Sequence, residues 1–260
     1  MGSGRIRMGK KEMNFRDEVA LTQDIKTQIE NATLEAIYWW NRDEDYYHTY
    51  FSKFDKIYND KELLEFFTGK IFETFLLTYR VRRNISKGYI KVDDFIKELF
   101  DYNFVGRVNQ NDTQVIDEVS LKIKTSGKAT NNQTISLLSK IAFLIKPNKF
   151  VLYDGLAKTS LYHVLRKNKK TKCTQKVLET YSVFIDQSDL LRVDLRRGKF
   201  FVHSKEILEQ FKNTKAFDFY SKNNEAFEKR IVDKYLWLLG QDPTGRKLEN
   251  KEYLKLNKMR

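Results

Sequence analysis

The middle of the chain shows the clearest alternation of apolar and polar positions. In residues 134–145, apolar side chains recur at spacings of three and four, which is the period of an amphipathic helix. Pro147 follows, and because proline disfavours helical geometry in the preceding residue, we expect the helix to end there. The apolar residues 150–153 should then cross the core. Asp154 comes next, ahead of a second periodic segment, so it stands where a helix N-cap should be.

The same period predicts helices along most of the remaining chain. These predicted helices cover residues 17–41, 61–81, 92–100, 115–124, 175–185, 206–219 and 224–240. We expect an acidic turn at residues 42–45, a polar loop at 103–111 and a short β-hairpin at 190–202. Gly127 is placed to cap the helix before it. The pattern therefore predicts an all-α fold of about eight to ten helices, with one small hairpin at most.

The composition is that of a packed and basic protein. The 260 residues are 41% hydrophobic and 14% aromatic, which excludes a disordered chain. Lys and Arg number 48 against 35 Asp and Glu, a net charge of +13. This surplus favours an anionic partner, with nucleic acid the first candidate and an acidic membrane surface the second. A generally basic, soluble protein without such a partner would have the same composition.

Several functional classes are excluded by residue content. Cys173 is the only cysteine, so the chain has no internal disulfide and no cysteine-ligated metal or iron–sulfur cluster. The 3 histidines lie far apart in sequence and lack metal-ligand spacing, so we expect neither a metal nor a cofactor. No apolar run is long enough to span a membrane. The expected location is a reducing cytoplasm, of the bacterial or phage type.

The two ends of the chain differ in composition from its middle. Residues 1–12 are small and basic, and resemble an added tag or a disordered start rather than a signal peptide. Residues 242–260 read as a basic tail. We expect residues 13–241 to form a single helical domain.

The order of elements in residues 134–167 resembles the catalytic core of the helix-hairpin-helix DNA glycosylases. The shared features are a helix, a Lys-Pro loop, the run Phe-Val-Leu-Tyr-Asp and a second helix. The chain is most similar to the 8-oxoguanine-DNA-glycosylase-like branch, and residues 227–241 resemble the helix that closes the fold in that branch. The resemblance covers about residues 115–241 and implies two helical lobes around a DNA-facing cleft, with the hairpin and catalytic core at about 115–170. Asp154 matches the catalytic aspartate of the superfamily.

The chemistry of base removal suits a carboxylate at that position. Cutting a base from its sugar builds positive charge on the sugar, which a fixed carboxylate stabilises while it aligns a water. Bifunctional members of the superfamily use a lysine near the start of the hairpin helix, a position that falls near Ile135 here, with Lys140 about a turn further on. We therefore expect a monofunctional, water-using enzyme. Lys140 is a secondary catalytic candidate that should be solvated or face a phosphate.

Base flipping also needs an aromatic pocket and contacts to the DNA backbone. The aromatic candidates for the base pocket are Tyr38, Trp39, Trp40, Tyr46, Tyr47 and Tyr153. The candidates for DNA binding are Gly127, Lys128, Thr130, Thr134, Lys158, Lys167, Lys169 and Lys170. Each aromatic residue could instead fill the core, and the lysine run could be a solvated face.

The sequence thus predicts a monofunctional DNA glycosylase acting as a monomer on duplex DNA. It would flip a damaged or modified base and hydrolyse its N-glycosidic bond, in DNA repair or in defence against phages with modified bases. A basic helical module that binds DNA without catalysis is the alternative. A basic helical scaffold for protein or RNA is a third hypothesis, and it depends on charge alone.

Overall fold

A computed structural model describes residues 23–82, 92–167 and 175–241, and these residues form α-helices and connecting turns without a β-strand. In chain order the helices are α1 (Gln23–Trp39), α2 (Asp45–Phe51), α3 (Phe54–Tyr58), α4 (Lys61–Phe66), α5 (Glu73–Thr78), α6 (Val92–Asp101), α7 (Phe104–Asn109), α8 (Val115–Ser126), α9 (Ile135–Ile145), α10 (Gly155–Lys167), α11 (Tyr181–Arg197), α12 (Phe200–Leu208), α13 (Lys215–Lys222) and α14 (Asn224–Gly240). The π-helical turns Trp40–Glu44 and Phe67–Phe72 join α1 to α2 and α4 to α5. The all-α prediction is confirmed.

The predicted β-hairpin at residues 190–202 is wrong. This segment contains the end of α11 and the start of α12, and its apolar side chains Leu191, Leu195 and Phe200 are buried. Other apolar side chains on the same helices, Leu190 and Val202, are more than half exposed. Because these apolar residues lie outside the buried face, the spacing of apolar positions in the sequence did not indicate a helix.

Three other local predictions also needed correction. Residues 103–111 contain helix α7, in which Phe104 and Val108 are buried, instead of a polar loop. The expected acidic turn at 42–45 is helical and includes Glu44, which is fully buried. The helix predicted at 206–219 is divided, because α12 ends at Leu208 and α13 begins after Thr214, whose side chain caps it. The tag-like start and the basic tail lie outside the described residues.

Helix α14 is the central element of the fold. It packs against α1, α10, α11 and α13, and residues 226–236 are all buried. A helix buried on every side is normally apolar throughout, yet this one contains five charged residues within that buried stretch. They are Glu228, Lys229, Arg230, Asp233 and Lys234. Such charges need partners inside the protein, and one of the five, Asp233, also feels the charge of Asp154.

Helices α8 and α9 form a hairpin beside α14. The helix α9 ends as predicted before Pro147, and residues 137–145 are all buried. The link after α8 turns at Gly127, which has a φ of 64° and is the predicted C-cap of that helix. A Cβ there would be strained by the left-handed backbone and would lie 2.8 Å from the Asn131 Oδ1. The amide of Thr134 donates to Ser120 Oγ at 2.9 Å, which ties the start of α9 to α8.

Candidate functional site

The segment before Asp154 is held in place from both sides. Tyr181, at the start of α11, is fully buried; its hydroxyl donates to Val151 O at 2.8 Å and accepts from Val151 N at 3.0 Å. From α9, Ser139 Oγ accepts from Tyr153 N at 3.0 Å, and Ser136 Oγ donates to Tyr153 O at 3.1 Å. Four side-chain hydrogen bonds thus satisfy the backbone N–H and C=O groups of Val151 and Tyr153, which have no secondary-structure partner. The backbone that presents Asp154 is rigid for this reason.

Asp154 caps α10, as the sequence predicted. Its Oδ1 accepts from Leu156 N at 2.8 Å, and its side chain is half-buried. Gly155, the next residue, is exposed, so the carboxylate lies near the protein surface. A negative charge at a helix N-terminus is stabilised by the helix dipole. This arrangement places a carboxylate where base removal would require one.

Lys140 lies beside this carboxylate, and the expectation that it is solvated or phosphate-facing is wrong. The residue is 6% exposed, and its Nζ donates to Ser136 Oγ at 2.8 Å, Ser136 O at 3.3 Å and Tyr153 O at 3.4 Å. Burial lowers the pKa of Lys140 to about 8, while the charge of Asp154 acts in the opposite direction. From the sequence, Lys140 was expected to be solvated because the polar residues Ser136 and Ser139 lie on the same helix. Packing of residues 150–153 over these positions buries the ammonium.

A network of buried charges extends from Asp154 along α14. Asp233 feels the charges of both Asp154 and Lys140, and burial raises its pKa. Arg230 donates to Asp233 Oδ2 and to both carboxylate oxygens of Glu44. The distance from Arg230 Nε to Glu44 Oε2 is 3.0 Å. Because Glu44 is fully buried and Arg230 is 3% exposed, each compensates the charge of the other.

Two tryptophans flank Lys234 at the next turn of α14. The Lys234 Nζ lies 4.3 Å from the ring centroid of Trp39 and 4.8 Å from that of Trp237. Both indole rings are half-buried, so each has a face or edge that solvent reaches. Glu35 completes the group, with Oε2 at 3.5 Å from Lys234 Nζ. We call Trp39, Trp237, Lys234 and Glu35 the tryptophan slot.

The tryptophan slot is connected to the Asp154 region through α14. Trp237 follows Asp233 by four residues, so the two side chains lie on one face of that helix. Further along, a Cβ at Gly240 would lie 2.8 Å from Leu156 O, which shows how closely the end of α14 packs on the first turn of α10. Trp39 was among the pocket residues predicted from the sequence, whereas Trp237 was not. The spacing of four between an aspartate and a tryptophan on one helix was the available signal.

The other predicted pocket residues are divided between the core and the surface. Trp40 and Tyr47 are 1% and 2% exposed, so they do not line an open pocket; Trp40 stacks on Phe219 with centroids 3.8 Å apart. This part of the prediction is corrected, because aromatic content alone did not separate core from site. Tyr46 is 46% exposed, and Tyr38 is half-buried with the guanidinium of Arg42 over its ring. Tyr153 is half-buried, and its ring packs against that of Phe184.

The predicted DNA-binding residues also separate by exposure. Gly127 and Lys128 are exposed at the tip of the α8–α9 hairpin, where a DNA backbone could reach them. Thr130 and Thr134 are 7% and 1% exposed, so their side chains do not face a phosphate, and Thr130 Oγ1 instead accepts from Asn132 N. The Lys158 Nζ lies 3.8 Å from the Glu179 Oε1. The remaining predicted lysines are not described: the Lys167 side chain, and all of Lys169 and Lys170, lie outside the described residues.

Residues 23–82, 92–167 and 175–241 contain no cluster of three or more His, Cys, Asp or Glu side chains arranged to hold a metal ion. Across the same ranges, no helix is both long and apolar enough to cross a membrane. Comparisons with protein-family models, with curated proteins and with solved structures found no match. Functional inference therefore depends on the arrangement of Asp154, Lys140 and the tryptophan slot.

Proposed function

We propose that the chain is a DNA N-glycosylase with Asp154 as its key carboxylate. The observation that supports this most directly is the position of Asp154: half-buried, at the first turn of α10, and in electrostatic contact with the buried Lys140. A carboxylate that served only as a helix cap would not require a buried lysine nearby. The net charge of +13 is consistent with duplex DNA as the partner.

The proposed reaction begins when a damaged or modified base leaves the DNA stack and packs against the part of Trp39 or Trp237 that solvent reaches. Stacking on an indole ring contributes about 1–3 kcal/mol per base, which offsets part of the cost of unstacking. As the bond between base and sugar breaks, positive charge develops on the sugar, and the Asp154 carboxylate stabilises it. Water attacks the sugar carbon, and its proton passes to the departing base or to solvent. The products are the free base and an abasic site.

Lys140 has a supporting role in this proposal. Its Nζ lies within hydrogen-bond distance of three oxygens of Ser136 and Tyr153, which suits the three N–H groups of an ammonium, and an ammonium is not a nucleophile. Its positive charge also attracts the Asp154 carboxylate. The attacking group is therefore water, which makes the enzyme monofunctional. Trapping a covalent protein–DNA adduct with borohydride, lost on Lys140→Met substitution, would contradict this step and assign the attack to the lysine.

The function is tested by base release from DNA. Duplexes carrying a range of oxidised, alkylated and phage-type modified bases are incubated with the protein, and alkali-labile abasic sites are measured. We expect release of at least one base, and a loss of about a hundredfold or more in rate for Asp154→Asn, because a neutral amide does not stabilise the charged sugar. The base that is released would then distinguish DNA repair from defence against phages, both of which imply a cytoplasmic enzyme.

A matched control separates catalysis from capping. Asp60 caps α4 as Asp154 caps α10, with Oδ1 accepting from Leu63 N at 3.0 Å, and it lies outside the proposed site. Asp60→Asn should therefore leave the excision rate unchanged. If Asp154→Asn remains folded and excises bases as fast as the parent, the glycosylase proposal is wrong. Salt-sensitive duplex binding without abasic product on any DNA would favour the non-catalytic binding module instead.

A further inference from the structure

A narrow cleft lies between α11, α14 and residues 151–152, on the segment that leads to Asp154. It holds about 270 Å³ of empty space, counted out to its open mouth, and its inner part is only wide enough for a group the size of a water molecule. Most of its wall is apolar and includes Val151, Leu152, Phe184, Val232 and Leu236. Polar side chains also line it, and two of them, Ser188 and Lys229, have unused hydrogen-bonding capacity.

These two side chains are buried without a full set of partners. Ser188 is 6% exposed, and its Oγ has no hydrogen-bond partner within the described residues. Lys229 is also 6% exposed, and among these residues its Nζ donates to a single oxygen, the backbone carbonyl of Asn148 at 3.1 Å. Because an ammonium has three N–H groups, Lys229 can donate to further acceptors. Buried polar groups are normally paired, and an unpaired one indicates a bound water or ion.

The positive charge of Lys229 is only partly compensated. Its Nζ lies 3.6 Å from Asp189 Oδ2 and 4.0 Å from Glu225 Oε1, and both distances are too long for a hydrogen bond. Both carboxylates accept instead from Arg192, at 3.3 Å to Asp189 Oδ1 and 2.9 Å to Glu225 Oε1. Lys149 adds a further positive charge near Lys229, and burial lowers the pKa of Lys229. A small anion would therefore be attracted to this part of the cleft.

The other carboxylate in the cleft wall does not cancel this attraction. Asp233 lies four residues after Lys229 on α14, which is a distance of about 6 Å along the helix axis. Its Oδ2 accepts from Arg230, so its charge has a partner of its own. Among anions, a halide ion is little larger than a water molecule and accepts hydrogen bonds from any direction. A carboxylate or phosphate group is too large for the inner part of the cleft.

We propose that this cleft binds one chloride ion, which accepts hydrogen bonds from Lys229 Nζ and Ser188 Oγ. Lys229 supplies the charge that attracts the ion, and Ser188 supplies the donor that lacks another acceptor. The ion would join α11 to α14 beside residues 151–152, so its binding should stabilise the folded protein. The inference goes beyond the proposed glycosylase function and does not depend on it.

The test compares urea unfolding in sodium chloride with unfolding in sodium gluconate at equal ionic strength. Gluconate is too large to enter the cleft, so the comparison removes the general effect of salt. We expect chloride to lower the equilibrium constant for unfolding in a saturable way, by about elevenfold at ten times the dissociation constant. Equal stability in the two salts at every concentration would overturn the inference.

Variants at the two donors locate the response. Lys229→Met removes the charge and should abolish the chloride response. Ser188→Ala removes one neutral hydrogen bond and should weaken the affinity for chloride by about two- to tenfold, and this variant decides the case if Lys229→Met does not fold. Lys61→Met is the control, because Lys61 pairs only with Glu65 on the surface, and it should keep the full response. A response that is unchanged in folded Ser188→Ala and Lys229→Met would overturn the inference.

Bromide, a heavier halide, shows the position of the ion directly. In crystals grown with sodium bromide, we expect an anomalous scattering peak in contact with Ser188 Oγ and Lys229 Nζ in the wild type, and no such peak in Lys229→Met. A water molecule at this position in place of bromide would overturn the inference. Because neither measurement uses DNA, the result is the same whether or not the protein excises bases.

Discussion

Lys140 is the residue whose protonation state bears most directly on the proposed reaction. Its lowered pKa, about 8 in place of 10.5, places its loss of charge within the accessible range of pH. If the site depends on the ammonium that donates to Ser136 and Tyr153, the excision rate should fall as pH rises through about 8. Lys140→Arg, which stays charged, should move this decline to higher pH. A rate that instead rises through pH 8 and is abolished in Lys140→Arg would assign Lys140 the role of attacking amine.

The same residue makes a prediction about stability that needs no substrate. Between pH 8 and 10.5, Lys140 is neutral in the folded protein and protonated in the unfolded chain, so unfolding takes up a proton. The free energy of unfolding should therefore rise with pH in that window. Relative to Lys140→Met, the wild type should gain about 3 kcal/mol, the equivalent of two to three pKa units. Urea denaturation of both proteins at pH 7.5 and 10 measures the difference, and parallel curves would contradict the lowered pKa.

At the scale of elements, α11 is capped by a residue of another helix. Asp117 of α8 accepts from Tyr181 N at 2.7 Å and from Ser182 N at 3.0 Å, whereas Thr180, the residue at the cap position, makes no side-chain cap bond. We expect Asp117→Ala to lower the free energy of unfolding by about 1–2 kcal/mol. Thr180→Ala is the matched control and should change it by less than about 0.5 kcal/mol.

Loss of this cap should also affect the candidate site. Tyr181 begins α11 and holds both polar groups of Val151, so fraying of this helix would release the segment that presents Asp154. Amide hydrogen exchange at Val151 should therefore be faster in Asp117→Ala than in the wild type. Unchanged exchange there, with stability reduced, would show that α11 is not what keeps residues 150–153 rigid.

How far the sequence predicts each element depends on how regular its apolar face is. Helix α9 and the bounds of α14 followed from local spacing, because their apolar positions are numerous. The α11–α12 region did not, because Leu190, Val193 and Val202 are apolar yet exposed. Asp154 was predictable as a cap since capping is local. The burial of Lys140 and the meeting of Trp39 with Lys234 were not, because they come from contacts between segments far apart in the chain.

At the scale of the whole molecule, one buried ion pair joins the two ends of the described chain. Glu44 follows α1, Arg230 lies in α14, and the two are 186 positions apart. These two segments also supply Trp39 and Trp237, whose rings both contact Lys234. Removing one partner leaves a buried charge without compensation, which typically costs about 3–5 kcal/mol.

We therefore expect Arg230→Met to be strongly destabilising, and Glu44→Gln combined with Arg230→Met to be less so than the sum of the single changes. Denaturation of the four proteins gives the coupling energy directly. The surface pair of Lys61 and Glu65, 3.9 Å apart and largely exposed, is the control and should couple by less than about 0.5 kcal/mol. Strictly additive effects at Glu44 and Arg230 would contradict the pairing.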